Sequence, residues 1–273
     1  MKNGFFRTSD DTSIYYEIEG QGQPLLLVHG WSCSNKFYQK NVEGLKNKFT
    51  VITIDLRGHG KSSKGLHGYT IRRMATDIYE LIEFLHLEDV ILMGWSMGGP
   101  TVLCYWKLFK DNSHLAGLGL IDMTPFPFSP GAWNSHGLHN YNAEGFNAFQ
   151  EGILGNHEGF VDGFIVKMFK DCKMPAGTEW IKEECMKMPA YIGVALYSDY
   201  VYSDFTDVLA TITVPTLVFC ANSGIFPHSK DQGAWIAKEI PQGKCVPFED
   251  GGHMLFYVEA DKFNKAVIDE FTK

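Results

Sequence analysis

The stretch Ile91-Leu92-Met93-Gly94-Trp95-Ser96-Met97-Gly98-Gly99 decides how this chain is read. An apolar run ends in Gly-x-Ser-x-Gly and passes at once into a helix-like segment, residues 100–110. That is the pattern of a nucleophile elbow, a strand-to-helix turn so tight that the serine is held in a strained conformation with its hydroxyl exposed. A Cβ at Gly94 or Gly98 would collide across such a turn, which accounts for glycine at both positions. A helix beginning just after Ser96 aims its free N–H groups and positive dipole end at any oxyanion formed there. Glycine and serine are common in turns, so the motif takes its weight from its context.

Outward from the motif, strands alternate with helices. Residues 4–8 and 13–19 flank the turn-prone Ser9-Asp10-Asp11-Thr12 as a hairpin. Pro24-Leu25-Leu26-Leu27-Val28 is the unbroken apolar run of a central parallel strand, and it ends in His29-Gly30-Trp31. A helix over 35–48 precedes a strand over 49–54 and the loop Asp55-Leu56-Arg57-Gly58-His59-Gly60. Residues 70–85 set Ile71, Met74, Ile78, Leu81, Ile82 and Leu85 at helical spacing. Further strands are expected over 90–93, 115–121, 214–220 and 244–248, with helices over 229–240 and 256–271. The alternation predicts an α/β fold whose mostly parallel, twisted sheet is covered by helices on both faces.

Between 125 and 213 strand-like runs vanish, and aromatics, methionines and glycines crowd a region of several short helices. The domain organisation expected is a core of residues 1–124 and 214–273 carrying a helical cap of residues 125–213. Open α/β sheets bind ligands at the C-terminal ends of their strands, so an aromatic insert placed there offers an apolar lid. Phe126 and Phe128 at its start, with Trp31 and Trp95 beside the two motifs, are the candidate substrate contacts.

Composition narrows the classes. The 273 residues suit one large α/β domain with an insertion, and 45% hydrophobic content supplies its core. A formal charge of −8 with no basic run argues against a nucleic-acid partner. The first residues hold no apolar signal segment, and no stretch has the length of a membrane span, so no membrane partner is expected. Six cysteines without a CxxC pair read as thiols in a reducing cytoplasm. With neither HExxH nor a strand-linked GxGxxG, no metal and no organic cofactor is expected, and the partner expected is a small molecule.

His29-Gly30-Trp31, Asp55-Leu56-Arg57-Gly58-His59-Gly60-Lys61-Ser62, Gly94-Trp95-Ser96-Met97-Gly98-Gly99 and Gly251-Gly252-His253 resemble, in order and spacing, the α/β-hydrolase superfamily. The resemblance is to its esterase, lactonase and perhydrolase-like branch with a helical cap, and covers the chain outside the cap. A serine hydroxyl is almost never ionised at neutral pH and needs a base. The resemblance implies that Ser96 is the nucleophile and that His253, after the last strand and before the last helix, is that base. It implies oxyanion donation by the main-chain N–H groups of Trp31 and Met97, worth roughly 2.7–4 kcal/mol of barrier each. His29 and His59 are then structural.

The chain departs from the family at the acid. Most relatives place Asp or Glu in the loop after the penultimate strand; here Val218-Phe219-Cys220-Ala221-Asn222-Ser223-Gly224-Ile225-Phe226-Pro227 sets Ser223 there, with no carboxylate before Asp231. A serine can orient an imidazole but cannot stabilise an imidazolium by charge. Either the triad is incomplete or its carboxylate comes from elsewhere. Asp122, which ends the strand beside the elbow, is the favoured candidate, as in certain lipases, dehalogenases and cofactor-free ring-cleaving dioxygenases that the arrangement resembles. Its other role would be to cap the insert's first turn, and Asp250 is the competing acid, uncomfortably close in sequence to His253. The activity implied is hydrolysis of a carboxylic ester or lactone of a small, moderately apolar substrate through an acyl-enzyme. The rivals are cofactor-free perhydrolase or haloperoxidase chemistry, C–C hydrolysis, dioxygenation, and a non-catalytic ligand-binding homologue.

Overall fold

The computed structural model describes residues 2–112 and 114–272. Eight strands form one sheet in the order β1-β2-β4-β3-β5-β6-β7-β8: β1 (Lys2–Arg7), β2 (Ser13–Gly20), β3 (Gln23–Val28), β4 (Phe49–Ile54), β5 (Val90–Trp95), β6 (Leu115–Ile121), β7 (Thr216–Cys220) and β8 (Gly243–Pro247). β2 is antiparallel to β1 and β4, and every other pairing is parallel. Helices α1 (Gln39–Leu45), α2 (Ile71–Phe84) and α3 (Gly98–Phe109) make the first crossovers; α4 (Ala143–Gly155), α5 (His157–Lys167), α6 (Trp180–Cys185) and α7 (Ala190–Tyr202) lie between β6 and β7; α8 (Ser229–Glu239), α9 (Leu255–Val258) and α10 (Ala260–Phe271) complete the chain.

The two-residue period of the strands divides the core. Leu26, Val28, Ile52, Ile54, Leu92, Leu118 and Leu120 face a cluster shared with α2, α3 and α8. Leu25, Leu27, Val51, Ile91, Met93, Trp95, Ile121 and Phe219 face the other way, against Leu45 of α1 and Phe263 and Val267 of α10. Burial on both faces explains why these strands read as continuous apolar runs rather than alternating ones.

Register then aligns the strand ends that matter. Val28 pairs with Gly94, Trp95 with Ile121, and Ile121 with Phe219. Residues that follow these strands, His29-Gly30-Trp31, Ser96 and Asp122 among them, therefore emerge at one edge of the sheet.

Two expected helices are broken for identifiable reasons. Residues 35–48 form a 3₁₀ turn, Asn35–Tyr38, before α1, because the buried Tyr38 hydroxyl reaches back to the Val28 carbonyl at 2.9 Å. The last helix divides at Glu259, whose carboxylate turns back to accept the amides of Asp250 at 3.0 Å and Gly251 at 2.7 Å. The described residues between β6 and β7 contain no strand. Their helices join the core at several points: Asp199 of α7 accepts the Ile71 amide at the start of α2 at 2.7 Å, and the Cys185 carbonyl accepts the Ser32 hydroxyl at 3.0 Å.

The loop after β4 is anchored by charge. Arg57 places two N–H groups on Asp77 of α2, at 2.6 and 2.7 Å, and two on Asp10 at 3.0 and 3.1 Å. Arg57 and Asp77 are both about 1% exposed. Breaking a buried pair by removing one partner leaves the other charge stranded, at a cost of about 3–5 kcal/mol. Arg57→Met is accordingly expected to lower unfolding free energy by that amount in urea titration, and a loss under about 1 kcal/mol would contradict the anchoring role.

Candidate active site

Ser96 follows β5 with φ of 54°, in the left-handed region that a non-glycine residue enters only under constraint. The constraint is steric. A Cβ on Gly94 would stand 2.2 Å from Gly98 O, and one on Gly98 would stand 2.5 Å from Val28 O. Gly30 abuts the nucleophile itself, with a hypothetical Cβ 2.8 Å from Ser96 Cβ. The loop after β3 is thus pressed against the serine, with Trp31 one residue further on. Among the described residues, the backbone N–H groups of Trp31 and Met97 have no hydrogen-bond partner, although both residues are buried. Unpaired buried amides are uncommon in folded proteins, and two of them flank Ser96.

Two buried histidines hold this loop in place. His29 Nδ1–H donates to Gly30 O at 2.8 Å, and its Nε2 accepts the Leu56 amide at 3.0 Å. His59 Nδ1–H donates to Arg57 O at 2.9 Å while its Nε2 accepts the Ser32 amide at 3.1 Å. Each ring must stay neutral to accept at Nε2. Burial holds the His29 pKa down to about 4 and the His59 pKa well below its usual value, the latter also through the neighbouring His29.

The carboxylate that meets His253 lies at the end of β6. His253 Nδ1 is 2.5 Å from Asp122 Oδ2, both side chains about 1% exposed or less. Asp122 itself takes a positive φ of 42°, with its amide bonded to Phe219 O at 2.7 Å. Its second oxygen, Oδ1, accepts the Ala221 amide at 3.2 Å and the Ser229 hydroxyl. One carboxylate oxygen is therefore held by the β7 loop and α8, leaving the other for the imidazole. Gln232 adds support on the same helix by accepting the Ser135 amide and donating to Met123 O, each at 2.7 Å.

Neither rival acid reaches the base. Ser223 closes its own turn, its Oγ accepting the amides of Ile225 at 3.2 Å and Phe226 at 3.1 Å. Asp250 points outward to Lys170 Nζ at 2.6 Å, with its side chain 71% exposed. His253 and Asp122 are thus in direct contact. No hydrogen bond joins Ser96 Oγ to His253 among the described residues, and such contacts in resting enzymes are often long until substrate binds.

The expected substrate contacts are in part corrected. Trp95 does not line an open site: it is fully buried, donates Nε1–H to His253 O at 2.9 Å, and packs on Phe37, Phe256 and the His253 ring. Alternation sends the residue before Ser96 into the core, where it braces the base from below. Phe128 is also core, enclosed by Tyr141, Phe146 and Tyr202 of the insertion. Phe126 packs at the insertion's start against Tyr141. Trp31 turns its indole into the insertion, with Nε1–H on Gly193 O at 2.9 Å and its ring against Phe149, Phe160, Phe164 and Tyr197. Sequence reasoning missed Ser229 and Gln232. No motif marks them, because their relevance depends on α8 passing beside β6.

A sheet of this order, with a strained serine after β5 and a histidine–carboxylate pair beyond β6 and β8, defines an α/β hydrolase. Residues 23–169 match the α/β hydrolase fold family, and the chain belongs to that family. It is 27% identical to an AB hydrolase superfamily protein of Bacillus subtilis, over 96% of this chain and 97% of that one. It is 26% identical to a non-heme chloroperoxidase of Kitasatospora aureofaciens, over 97% and 98%. Among solved structures it superposes on an esterase from Exiguobacterium antarcticum with a TM-score of 0.89 at 27% identity, covering 98% of this chain and 99% of that one.

Two outcomes follow from this geometry. Asp122→Asn should retain the fold and lower turnover of an ester by about 10⁴-fold, while Ser223→Ala changes it less than about threefold; the opposite order in steady-state rates would overturn the assignment of the acid. Acid should also destabilise the fold through His29. Its folded pKa, about 4, lies below the 6.5 of an unfolded histidine, so the unfolded chain binds the extra proton. Stability is then full above about pH 6.5 and falls as pH drops toward 4, by about 3 kcal/mol from this ring. Urea midpoints measured between those values test the slope, and a flat profile contradicts it.

Proposed function

We propose that the chain is a serine hydrolase that cleaves a small carboxylic ester or lactone through an acyl-enzyme. The observation that carries this reading is the 2.5 Å contact between His253 Nδ1 and Asp122 beside an elbow serine. Ser96 Oγ attacks the substrate carbonyl while His253 Nε2 takes its proton. Asp122 stabilises the resulting imidazolium, and the free amides of Trp31 and Met97 receive the oxyanion. His253 then protonates the departing alcohol. In the second half it draws a proton from water, which attacks the acyl-enzyme and releases the acid. The helices of residues 125–213 serve in this proposal as a cap whose aromatic underside favours moderately apolar groups.

Perhydrolysis is the second reading, supported by 25% identity to a bifunctional esterase/perhydrolase of Acinetobacter calcoaceticus, over 97% of this chain and 98% of that one. Hydrogen peroxide takes the place of water, so the acyl-enzyme yields a peracid and free Ser96, with His253 accepting the peroxide proton. No additional residue is needed.

A fluorophosphonate probe should label Ser96 rapidly in the native protein and at least about 10³-fold more slowly in His253→Ala. Hydrolysis of p-nitrophenyl esters should show the same dependence, and comparing acid with peracid yield in added peroxide separates the two readings. A folded protein that neither labels nor turns over any ester would instead be a non-catalytic binder.

A further inference from the structure

An arc of rings joins the oxyanion loop to the base. Centroid to centroid, Trp31 lies 6.1 Å from Tyr197, Tyr197 5.8 Å from Tyr200, and Tyr200 6.1 Å from His136. His136 lies 5.5 Å from Phe226, and Phe226 5.4 Å from His253. Ser96 sits where the arc would close, because Gly30 beside Trp31 abuts it and Trp95 beside it touches His253.

Helix α7 supplies one side of the arc with a single face. Gly193, Tyr197 and Tyr200 stand at i, i+4 and i+7. The missing side chain at Gly193 leaves room for the Trp31 indole, whose Cζ2 lies 3.0 Å from the position a Cβ would take. The face carrying Tyr200 is therefore turned toward the nucleophile's loop.

Two polar groups on this arc lack protein partners. Tyr200 Oη is buried and makes no hydrogen bond. His136 Nδ1 accepts the Leu138 amide at 3.1 Å, so a neutral ring carries its proton on Nε2, which has no partner among the described residues. Burial, reinforced by His253, holds the His136 pKa down to about 3, and no lysine or arginine is among the groups acting on it. Buried polar groups are nearly always satisfied in native proteins, so the enclosed Tyr200 hydroxyl calls for a missing partner. With no cation nearby, a carboxylate would go uncompensated; an uncharged oxygen fits.

We propose that Tyr200 and His136 bind a second, uncharged oxygen of the substrate, so that the enzyme selects esters bearing a keto, hydroxyl or amide group over plain alkyl esters. This rests on the ester-hydrolase reading and narrows it. The pair are positioning groups that hold the substrate and take no part in proton transfer.

The test compares ethyl 3-oxohexanoate with ethyl hexanoate for the acyl side, and 4-oxopentyl propanoate with pentyl propanoate for the alcohol side. In at least one pair the wild-type protein should prefer the oxo ester in kcat/KM, mainly through KM. Tyr200→Phe and His136→Leu should each reduce that preference about tenfold. His136→Gln, which restores an N–H near the Nε2 position, should recover most of it, and Tyr202→Phe on the exposed side of the same helix should leave it intact. Tyr200→Phe removes only an unpaired hydroxyl, so its Tm should equal or exceed that of the wild type. A preference unchanged in Tyr200→Phe for both pairs would mean that ordered water alone occupies the site, and overturns the proposal. Calorimetric Kd values for the same esters on Ser96→Ala read the subsite without turnover. Absence of hydrolysis by the wild type then sinks the hydrolase reading alone, whereas equal Kd values for oxo and plain esters sink the subsite.

Discussion

Where β5 turns into α3, the chain passes so close to β3 that a Cβ on Gly98 would stand 2.5 Å from Val28 O. The turn can be made only with glycine at its flanks and with Ser96 forced to a positive φ, a strain on the order of 1–3 kcal/mol. It is borne by the parallel register of β3, β5 and β6, which holds the strand end of the turn in the buried sheet. The same closeness brings the loop after β3 onto the serine through Gly30. Once that contact exists, His29 and His59 can lock the loop by accepting the amides of Leu56 and Ser32. The placement of Ser96 and of the loop after β3 therefore follows from one steric constraint.

The position of Asp122 shows how strand register decides which side chains can meet. β6 and β7 are neighbours, and their ends lie at the same height because Ile121 pairs with Phe219. A carboxylate at the end of β6 can thus reach an imidazole that a β7 loop would otherwise serve. Relocation still requires local support, since a buried carboxylate left with a single partner would be costly. Ala221 and Ser229 provide it by donating to Oδ1 from the β7 side. The β7 loop and α8 supply donors that hold this carboxylate, and Ser223 closes its own turn.

The helices between β6 and β7 are tied to the loop after β3. Trp31 bonds to Gly193 O, Ser32 to Cys185 O, and Ser34 to the Glu184 carboxylate at 2.8 Å. The Trp31 indole makes this link, its ring packing on four aromatics of α4, α5 and α7.

Most of the fold was legible in the order of residues. Continuous apolar runs marked strands buried on both faces, and Gly94, Ser96 and Gly98 marked the elbow, because those features are local and their causes steric. Asp122 was readable as a candidate only because the expected place held Ser223. Helix boundaries at Tyr38 and Glu259 were not readable, since each is set by a hydrogen bond to a distant segment. Trp95 was misplaced for a related reason: adjacency to the nucleophile suggested substrate, whereas the pleat of β5 sends the ring into the core beneath His253. By itself the sequence determined the fold and singled out Ser96 and His253 as candidates, through short-range sterics and chain order. Tertiary structure alone decided that Asp122 rather than Asp250 meets the imidazole, that Ser229 holds it, and that the Tyr200 hydroxyl is left without a partner, because those facts depend on which side chains distant segments bring within 3 Å or so.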